Sequence, residues 1–462
     1  MKLSTVFAQS APRPVSLVLF TAAAVLATLG DLLSIRALLA LAGVALVGFV
    51  LLEFTRIRRP QQIAASLLLL AAVGVGLREG QLWPILSQGV LKTLPFILIF
   101  ASVGWLRAAA GESPSLLALR RGLGRMQPGH RFTAVNSAAH VLGAGFNLAG
   151  MALLTPILDD VDDDPKVGRR MRCAILWGFS TAASWSPFLV GTAVVLASLP
   201  GVSWYQMAPY GAFIAFGFLV WATVFDRLTQ RRTRSAPRAA LEPMPALRGA
   251  AGRTLLAILL LFATTLTLID VAGLRLTTAI ALAAPGFGLV WLLLIHGLAG
   301  RARIAEVARS VVTSYPGMRT ESTLFVAANI FGTAISTALP RDHDTTSALP
   351  WAGLSTGVDM LDILLMIWVY LAVCALGFHP IILLVVFTTV ADPVALGLPL
   401  PMLGGVFMTL WGMGTSVSPL SGTTLFMSQY SKETSFEIAW RWNGLFYTLG
   451  AVWLAVAIVI LR

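Results

Sequence analysis

The sequence predicts an all-α, polytopic membrane protein built from two inverted-topology repeats. Composition is the first observation behind this prediction: 57% of the 462 residues are hydrophobic and only 12% are charged, against about a quarter in soluble globular domains. The second is a succession of apolar segments of ~20 residues, the length that a helix needs to cross a bilayer. The third is a short polar motif that occurs once in each half of the chain.

This motif, Trp-Gly-x-x-Thr-x-x-Ser, runs over 177–184 and again over 411–418. A second group of hydroxyl residues follows each copy, at 186–192 and at 419–424. Gly, Pro and Ser/Thr at one place in an apolar stretch predict an interrupted helix whose backbone groups face a cavity or a ligand. Paired interruptions in corresponding halves indicate the binding site of a secondary transporter. The alternative is a pair of small-residue faces for helix packing.

The first half is expected to cross the membrane near 16–33, 36–54, 62–78 and 89–107. Arginines after the second and fourth segments place those loops, and the N-terminus, in the cytoplasm. The next apolar stretch has basic residues on both sides, which predicts a re-entrant hairpin. The remaining predictions for this half are a first helix (1–34) outside the repeat, a first repeat over 35–226, a hairpin over about 133–157 with its tip at Gly143, Gly145 and Asn147, a broken helix over about 173–199 and a closing crossing over 207–226.

A linker over 227–253 with seven arginines is expected to be cytoplasmic. The second repeat, 254–462, then follows the same order with opposite orientation. Its predicted elements are crossings near 254–271, 277–297 and 321–338 with a basic loop over 301–319 between the last two, a hairpin over about 358–391 that breaks at 377–380, a broken helix over about 402–428 and a last crossing near 438–461 that leaves the C-terminus outside.

Stretches in both halves of the chain support a family resemblance. The run Asn-Leu-Ala-Gly-Met-Ala-Leu-Leu-Thr-Pro-Ile at 147–157, followed by Gly-Phe-Ser-Thr at 178–181 and Ser-Pro at 186–187, resembles the hairpin and broken-helix signatures of the ion transporter superfamily. That group includes citrate, dicarboxylate, gluconate, arsenite and sodium/proton carriers. The stretch 414–424 is similar to the second-half counterpart in the citrate and gluconate branches. The Ser-Asn-Thr hairpin tips of dicarboxylate carriers are absent here.

The resemblance implies two inverted repeats, a scaffold that often dimerises and an elevator-like motion of the part that bears the hairpins. Independently of it, helix N-termini at the two breaks would offer N–H groups to an anion, and hydroxyls with unwound carbonyls would suit Na⁺. The predicted substrate and ion-binding residues are Asn147, Ser180, Thr181, Ser184, Ser186, His379, Thr415, Ser416, Ser418, Ser421, Thr423 and Thr424.

His379, between Gly377 and Pro380 at a predicted tip, is a candidate for proton coupling, because an imidazole titrates near neutral pH. The competing interpretation is a histidine that only satisfies the carbonyls of a broken helix. The cluster of five aspartates between 159 and 164 lacks the Gly and terminal Glu of a calcium loop. We therefore expect no resident metal and no cofactor apart from a coupling Na⁺ or H⁺.

The functional prediction is a secondary active transporter of the cell (inner) membrane, moving a small carboxylate-type anion with H⁺ or Na⁺, as a homodimer in the lipid bilayer. The net charge of +12 follows the positive-inside pattern and needs no nucleic-acid partner. No Gly-Lys-Ser/Thr nucleotide loop is present, and we expect no enzymatic activity. Open alternatives are a cation/proton antiporter or an inorganic oxyanion efflux carrier of the same fold, the membrane subunit of a binding-protein-dependent carrier and, least favoured, a lipid-linked membrane enzyme.

Overall fold

The computed structural model describes residues 13–124, 126–155, 165–199, 201–229, 244–338, 359–390, 398–431 and 433–462. Every regular element in these ranges is helical, and none of their residues lies in a β-strand. The α-helices are α1 Pro14–Leu32, α2 Arg36–Glu53, α3 Arg59–Arg78, α4 Leu82–Leu91, α5 Leu94–Glu112, α6 Pro114–Gly124, α7 Pro128–Phe146, α8 Leu148–Leu154, α9 Pro165–Ala182, α10 Val190–Ser198, α11 Trp204–Thr229, α12 Met244–Asp270, α13 Leu276–His296, α14 Arg301–Thr313, α15 Arg319–Ala338, α16 Asp359–Ala375, α17 Pro380–Val390, α18 Leu400–Val417, α19 Gly422–Ser431, α20 Ser435–Glu437 and α21 Gly444–Leu461. Short 3₁₀ segments lie at Phe54–Arg56, Leu298–Gly300 and Tyr315–Met318, and a π-helix lies at Ile438–Trp442.

Within the described residues, nine helical spans are long and apolar enough to cross a bilayer. They are Pro14–Leu32, Arg36–Arg56, Arg59–Arg78, Leu82–Glu112, Trp204–Thr229, Leu247–Asp270, Leu276–His296, Leu400–Ser431 and Gly444–Leu461. These spans confirm the prediction of an all-α, polytopic membrane protein.

The described residues group into two compact units, and each unit takes residues from both predicted repeats. Unit 1 lies within Met1–Ala109, Ala263–His343 and Val385–Val390, and unit 2 lies within Ala110–Phe262, Asp344–Leu384 and Ala391–Arg462. Both predicted hairpin tips and both copies of the motif fall in unit 2. The repeats expected from the sequence are therefore not the compact bodies of the structure, and the inverted relation between them stays a prediction.

Unit 1 has an aromatic core and a buried ion pair. The ring of Phe20 on α1 packs against the rings of Phe49 and Tyr315, with 5.2 Å between centroids in each case. At the end of α2, the fully buried carboxylate of Glu53 accepts hydrogen bonds from Ser16 at 2.5 Å and from Arg319 at 3.3 Å. A buried carboxylate is tolerated only when it is paired, so these contacts fix α2 against α1 and α15.

Unit 2 is held together by helices that touch at glycines. A Cβ added at Gly178 on α9 would overlap the carbonyl oxygen of Asn136 on α7, and one added at Gly412 on α18 would overlap the carbonyl oxygen of Ser180 on α9. Small residues allow such close backbone approach between membrane helices. The glycine of the motif therefore serves helix packing in both copies, which agrees with the alternative interpretation of the motif.

The expected basic loop at 301–319 is wrong, because most of it is helical. Helix α14 covers Arg301–Thr313 and buries Val307 and Val311, which lie one turn apart on the same face. Arg303 pairs with Glu306 on the exposed face at 2.8 Å. This segment is therefore a short amphipathic helix, in which Ile304 and Val312 also pack against the core, and its many charges hid the apolar pattern.

The predicted linker differs in a smaller way. Helix α11 continues to Thr229 and α12 begins at Met244, so both helices extend into the range 227–253. The rest of that range, 230–243, and the aspartate cluster before α9 lie outside the described residues.

Candidate functional site

The first broken helix is interrupted between α9, which ends at Ala182, and α10, which begins at Val190. The Ser186 hydroxyl donates to the carbonyl oxygen of Ala144 at 2.6 Å, and the Thr192 hydroxyl donates to the carbonyl oxygen of Ser186 at 2.5 Å. Ala144 lies in the last turn of α7, where carbonyl groups have no intrahelical partner. Side-chain hydroxyls thus donate to backbone carbonyl oxygens that have no helical N–H partner.

The first hairpin tip lies at Asn147, between α7 and α8. Asn147 has a φ of 55°, a region that asparagine enters more readily than most residues. Its Oδ1 accepts from the backbone N–H of Leu148 at 2.7 Å and so caps α8, while its Nδ2 donates to the carbonyl oxygen of Phe188 at 3.1 Å. A Cβ at Gly150 would overlap the carbonyl oxygen of Leu142, so the two arms lie in direct contact. Asn147 therefore joins the hairpin tip to the first break.

The second broken helix is interrupted between α18 and α19, over residues 418–421. The Thr424 hydroxyl donates to the carbonyl oxygen of Ser418 at 2.7 Å. The Ser421 hydroxyl donates to the carbonyl oxygen of Thr415, in the last turn of α18. As in the first break, hydroxyls take the place of the missing backbone donors.

The tip predicted for the second hairpin lies between α16 and α17, where Gly377 has a φ of 103°, which only glycine adopts readily. The Ser418 hydroxyl reaches this tip and donates to the carbonyl oxygen of Phe378 at 3.2 Å. The imidazole of His379 accepts from the backbone N–H of Ile381 through Nδ1 at 3.3 Å, at the start of α17. Its ring lies 6.3 Å from that of Trp411, centroid to centroid. His379 thus has a local capping role and a position beside the second motif copy.

The two motif copies meet in unit 2 through one hydrogen-bonded network. The Ser180 hydroxyl donates to the carbonyl oxygen of Gly412 at 3.1 Å. The Tyr447 hydroxyl on α21 donates to Ser180 Oγ at 2.5 Å and lies 3.3 Å from Ser416 Oγ. Asn443 donates from Nδ2 to the carbonyl oxygen of Ser416 at 2.8 Å. The closing helix of the second half therefore connects both copies.

His140 on α7 lies beside the first motif copy, as His379 lies beside the second. It was not among the residues predicted from the sequence. Its Nε2 accepts from the indole N–H of Trp185 at 3.1 Å, and its Nδ1 lies 3.0 Å from Thr181 Oγ1. The Thr181 hydroxyl donates to the carbonyl oxygen of Gly178 at 2.8 Å, so it can only accept from the imidazole. These partners assign the neutral ring with the proton on Nδ1. An ionisable residue inside an apolar segment is the signal that could have identified it.

The structure brings the predicted residues together but packs them closely. Asn147 and His379 are half-buried. The hydroxyl residues of the prediction are all buried, with at most 9% of any one exposed: Ser180, Thr181, Ser184, Ser186, Thr415, Ser416, Ser418, Ser421, Thr423 and Thr424. In this conformation, therefore, they face protein atoms more than open space.

Two clefts described in the structure lie elsewhere. One, of about 180 Å³, is lined by the first turns of α9, the end of α11 and the π-helix. The other, of about 430 Å³, lies in unit 1 at the start of α4, beside Gln88 and Thr333. Neither is lined by a predicted site residue.

No family model matches this sequence. The comparison with curated proteins gives no match either. Among solved structures, the chain is similar to the YdaH transporter of Alcanivorax borkumensis, whose crystal structure is described as having an unusual topology. The TM-score is 0.51 at 17% sequence identity, over 79% of this chain and 85% of that one. At this identity the similarity shows the fold alone, a multi-pass helical membrane fold that this chain shares with that transporter.

Proposed function

We propose that this chain is a secondary active transporter of the ion transporter superfamily, which moves a small organic anion across the cytoplasmic membrane with H⁺ or Na⁺. One observation carries the proposal. Two helix breaks of the same build, each joined to a hairpin tip by a serine hydroxyl, lie in one unit and connect through Ser180 and Gly412. The similarity to a transporter fold supports the same conclusion.

The breaks offer the chemistry that an anion or a small cation requires. Helices α10 and α19 begin at the two breaks, and the N–H groups of a helix start carry a partial positive charge that favours a carboxylate. Freed carbonyls and hydroxyls are the oxygen ligands that suit Na⁺. Ser186, Ser418 and Thr415 now donate to backbone carbonyls. To bind substrate, these hydroxyls must break those hydrogen bonds and form new ones with the substrate. The binding state is therefore more open at the breaks than this conformation.

Unit 2 is the part of the chain that would move with the substrate in an elevator-like mechanism. It contains both motif copies and both tips, at Asn147 and Gly377. An elevator-like mechanism moves the substrate together with the body that binds it. We therefore propose that unit 2 carries the substrate, and that the functional form is a homodimer in the inner membrane.

The test is a transport assay in proteoliposomes. Purified protein is reconstituted and currents on a solid-supported membrane are recorded for a panel of mono-, di- and tricarboxylates, with a Na⁺ gradient, a pH gradient or neither. We expect a gradient-dependent signal for at least one carboxylate. Thr181→Val and Thr415→Val should each reduce it about tenfold, because each removes a polar group that is worth ~1.4 kcal/mol or more in binding.

Thr313→Val is the matched control, because Thr313 is an exposed threonine on α14 whose hydroxyl also donates to a helix carbonyl. It should transport like the wild type. A wild-type protein that responds to no carboxylate under any gradient would contradict the proposal. Currents in which only inorganic oxyanions or cations respond would favour the alternative carriers of this fold.

A further inference from the structure

The cleft of about 180 Å³ in unit 2 is separate from the helix breaks and has a basic, aromatic lining. Its polar groups come from Arg169 and Arg170 on α9, Asp226 on α11 and Arg441 on the π-helix. The indole and phenyl rings of Trp177, Phe132, Phe225 and Trp442 form the remainder of its wall with a few other side chains. Such a lining is suited to a ligand with an anionic group and an apolar neighbour.

Charge in the cleft is not balanced. Asp226 is the one acidic residue among the described residues that line it, and it is occupied by a two-fold hydrogen bond with Arg170, at 2.6 Å to Nε and 2.5 Å to Nη2. Arg441 pairs with Glu437 outside the cleft at 3.0 Å. Arg169 donates to the carbonyl oxygen of Arg441 at 3.1 Å, and its guanidinium lies 5.7 Å from the ring centroid of Trp442. An arginine has five N–H donors, so donor capacity remains at Arg169.

Backbone geometry at the cleft is also unusual. Arg441 and Trp442 belong to the π-helix Ile438–Trp442, a rare form that is often found at functional sites. The π-turn presents the Arg441 carbonyl to Arg169, which holds that guanidinium at the cleft. Arg169 itself is exposed, so a ligand can reach it from solvent or from the membrane surface.

The size of the cleft limits the ligand. Pockets that enclose drug-sized molecules have volumes of ~300 Å³ and more, so this cleft fits a small anionic group and not a whole large molecule. Arginine forks match the oxygens of a phosphate in geometry and charge. Basic pockets between membrane helices bind phosphate-bearing lipid headgroups by the same means.

From these observations we infer that the cleft beside Arg169 and Arg441 is a phosphate-binding site, distinct from the transport site. The phosphate belongs either to an anionic phospholipid, whose first carbons would contact the aromatic wall, or to a soluble phosphate compound. By the predicted topology, α9 begins and α11 ends in the cytoplasm, so the site faces that side. One wall residue of the cleft is linked to the hydrogen-bonded network between the motif copies: Trp177 donates to Asn443 Oδ1 at 2.9 Å, and Asn443 Nδ2 donates to the carbonyl oxygen of Ser416.

The experiment measures binding and needs no transport activity, so its failure is distinguishable from failure of the proposed function. Thermal unfolding of the full chain is followed in phosphatidylcholine nanodiscs while inorganic phosphate replaces chloride at constant ionic strength. A parallel series exchanges part of the phosphatidylcholine for phosphatidylglycerol. A ligand that binds the native state raises the unfolding midpoint.

The test variant carries Arg169→Gln and Arg441→Gln together, and the control carries Arg301→Gln and Arg303→Gln on the exposed face of α14. All four side chains are exposed, so both proteins should fold, which their midpoints in chloride and phosphatidylcholine verify. We expect phosphate or phosphatidylglycerol to raise the midpoint of the wild type and the control. The test variant should need at least about tenfold more ligand for the same rise, because it lacks two charge-assisted donors.

The phosphate series and the phosphatidylglycerol series together show which molecule supplies the bound phosphate group. A rise with inorganic phosphate indicates a soluble phosphate compound, and a rise with phosphatidylglycerol alone indicates a lipid headgroup. Either result supports the site if the test variant loses it. A rise of equal size in the wild type and the test variant, or no rise in either series, would overturn the inference.

Discussion

Ser186 and Ser418 make the same contacts in the two helix breaks, and each donates its hydroxyl hydrogen to a carbonyl oxygen of the neighbouring hairpin tip. The acceptors are Ala144 at 2.6 Å and Phe378 at 3.2 Å. Each serine also accepts, through its own carbonyl oxygen, the hydroxyl of a threonine six residues later, Thr192 or Thr424. The same set of contacts thus occurs in both helix breaks, although the two breaks share few residues in sequence.

This relationship predicts that both serines stabilise the fold. Ser186→Ala leaves the carbonyl of the buried Ala144 without its donor, and Ser418→Ala does the same to the carbonyl of Phe378, whose hydrogen bond is only partly buried. Chemical denaturation in detergent should show a lower free energy of unfolding for both variants, by ~1–3 kcal/mol for Ser186→Ala and by less for Ser418→Ala. Ser87→Ala serves as the control, because Ser87 makes its hydrogen bonds to its own helix on an exposed surface. If only one of the two serine substitutions lowers the free energy of unfolding, the shared contacts do not stabilise both breaks.

A second prediction concerns the closest approach of α9 and α18. Gly412→Ala would place a methyl group on the carbonyl oxygen of Ser180 and separate the two motif copies. The variant should lose folded protein on size-exclusion chromatography. Gly286 lies in α13 with open space where its Cβ would be, so Gly286→Ala should fold normally, since alanine favours a helix over glycine by ~1 kcal/mol. Normal folding of both variants would show that the helices can separate without penalty.

His140 gives a third prediction. His140→Leu leaves the indole N–H of Trp185 without its acceptor and should lower the free energy of unfolding by ~1–3 kcal/mol. His140→Gln retains one donor and one acceptor and should recover part of that loss. His130→Leu, at an exposed position on the same helix, should have no effect. A His140→Leu variant as stable as the wild type would mean that the imidazole does not support the first break.

The fourth prediction is the pH dependence of transport through His379. A protonated imidazole donates through both nitrogens, so below the pH at which it titrates His379 cannot accept from the N–H of Ile381. Wild-type transport should therefore change over the pH range in which this imidazole gains its proton. His379→Ala and His379→Asn should both lose that change, while asparagine keeps an acceptor for the helix start. A pH profile equal to that of the wild type in both variants would remove the coupling role.

The helix breaks could be predicted from sequence because Gly, Pro, Ser and Thr interrupt apolar stretches only where backbone groups find other partners. For the same reason the interruptions at Asn147 and Gly377 could be located to within a few residues, whereas their role as tips of re-entrant hairpins stays a prediction. These are local signals, and both lie in the residues that the structure describes.

The partners of those residues could not be predicted. Tyr447 and His140 reach the motif from helices that are distant in sequence, and an apolar membrane helix shows little periodicity, because the lipid-facing and protein-facing sides are equally hydrophobic. The closed packing of Ser180 and Ser416 was also unexpected. The pattern indicated polar groups at the breaks, but their hydrogen bonds depend on which carbonyls the folded helices bring near.

We expect the two hairpins to enter the membrane from opposite sides, and cysteine accessibility in whole cells tests this expectation. In a chain with Cys173→Ala and Cys374→Ala, one cysteine is placed before each hairpin, by His130→Cys or by Met360→Cys, both at exposed positions. A membrane-impermeant maleimide added outside should label Met360→Cys in intact cells and His130→Cys only after permeabilisation. Labelling of both positions from the same side would contradict the inverted repeats and the transport mechanism built on them.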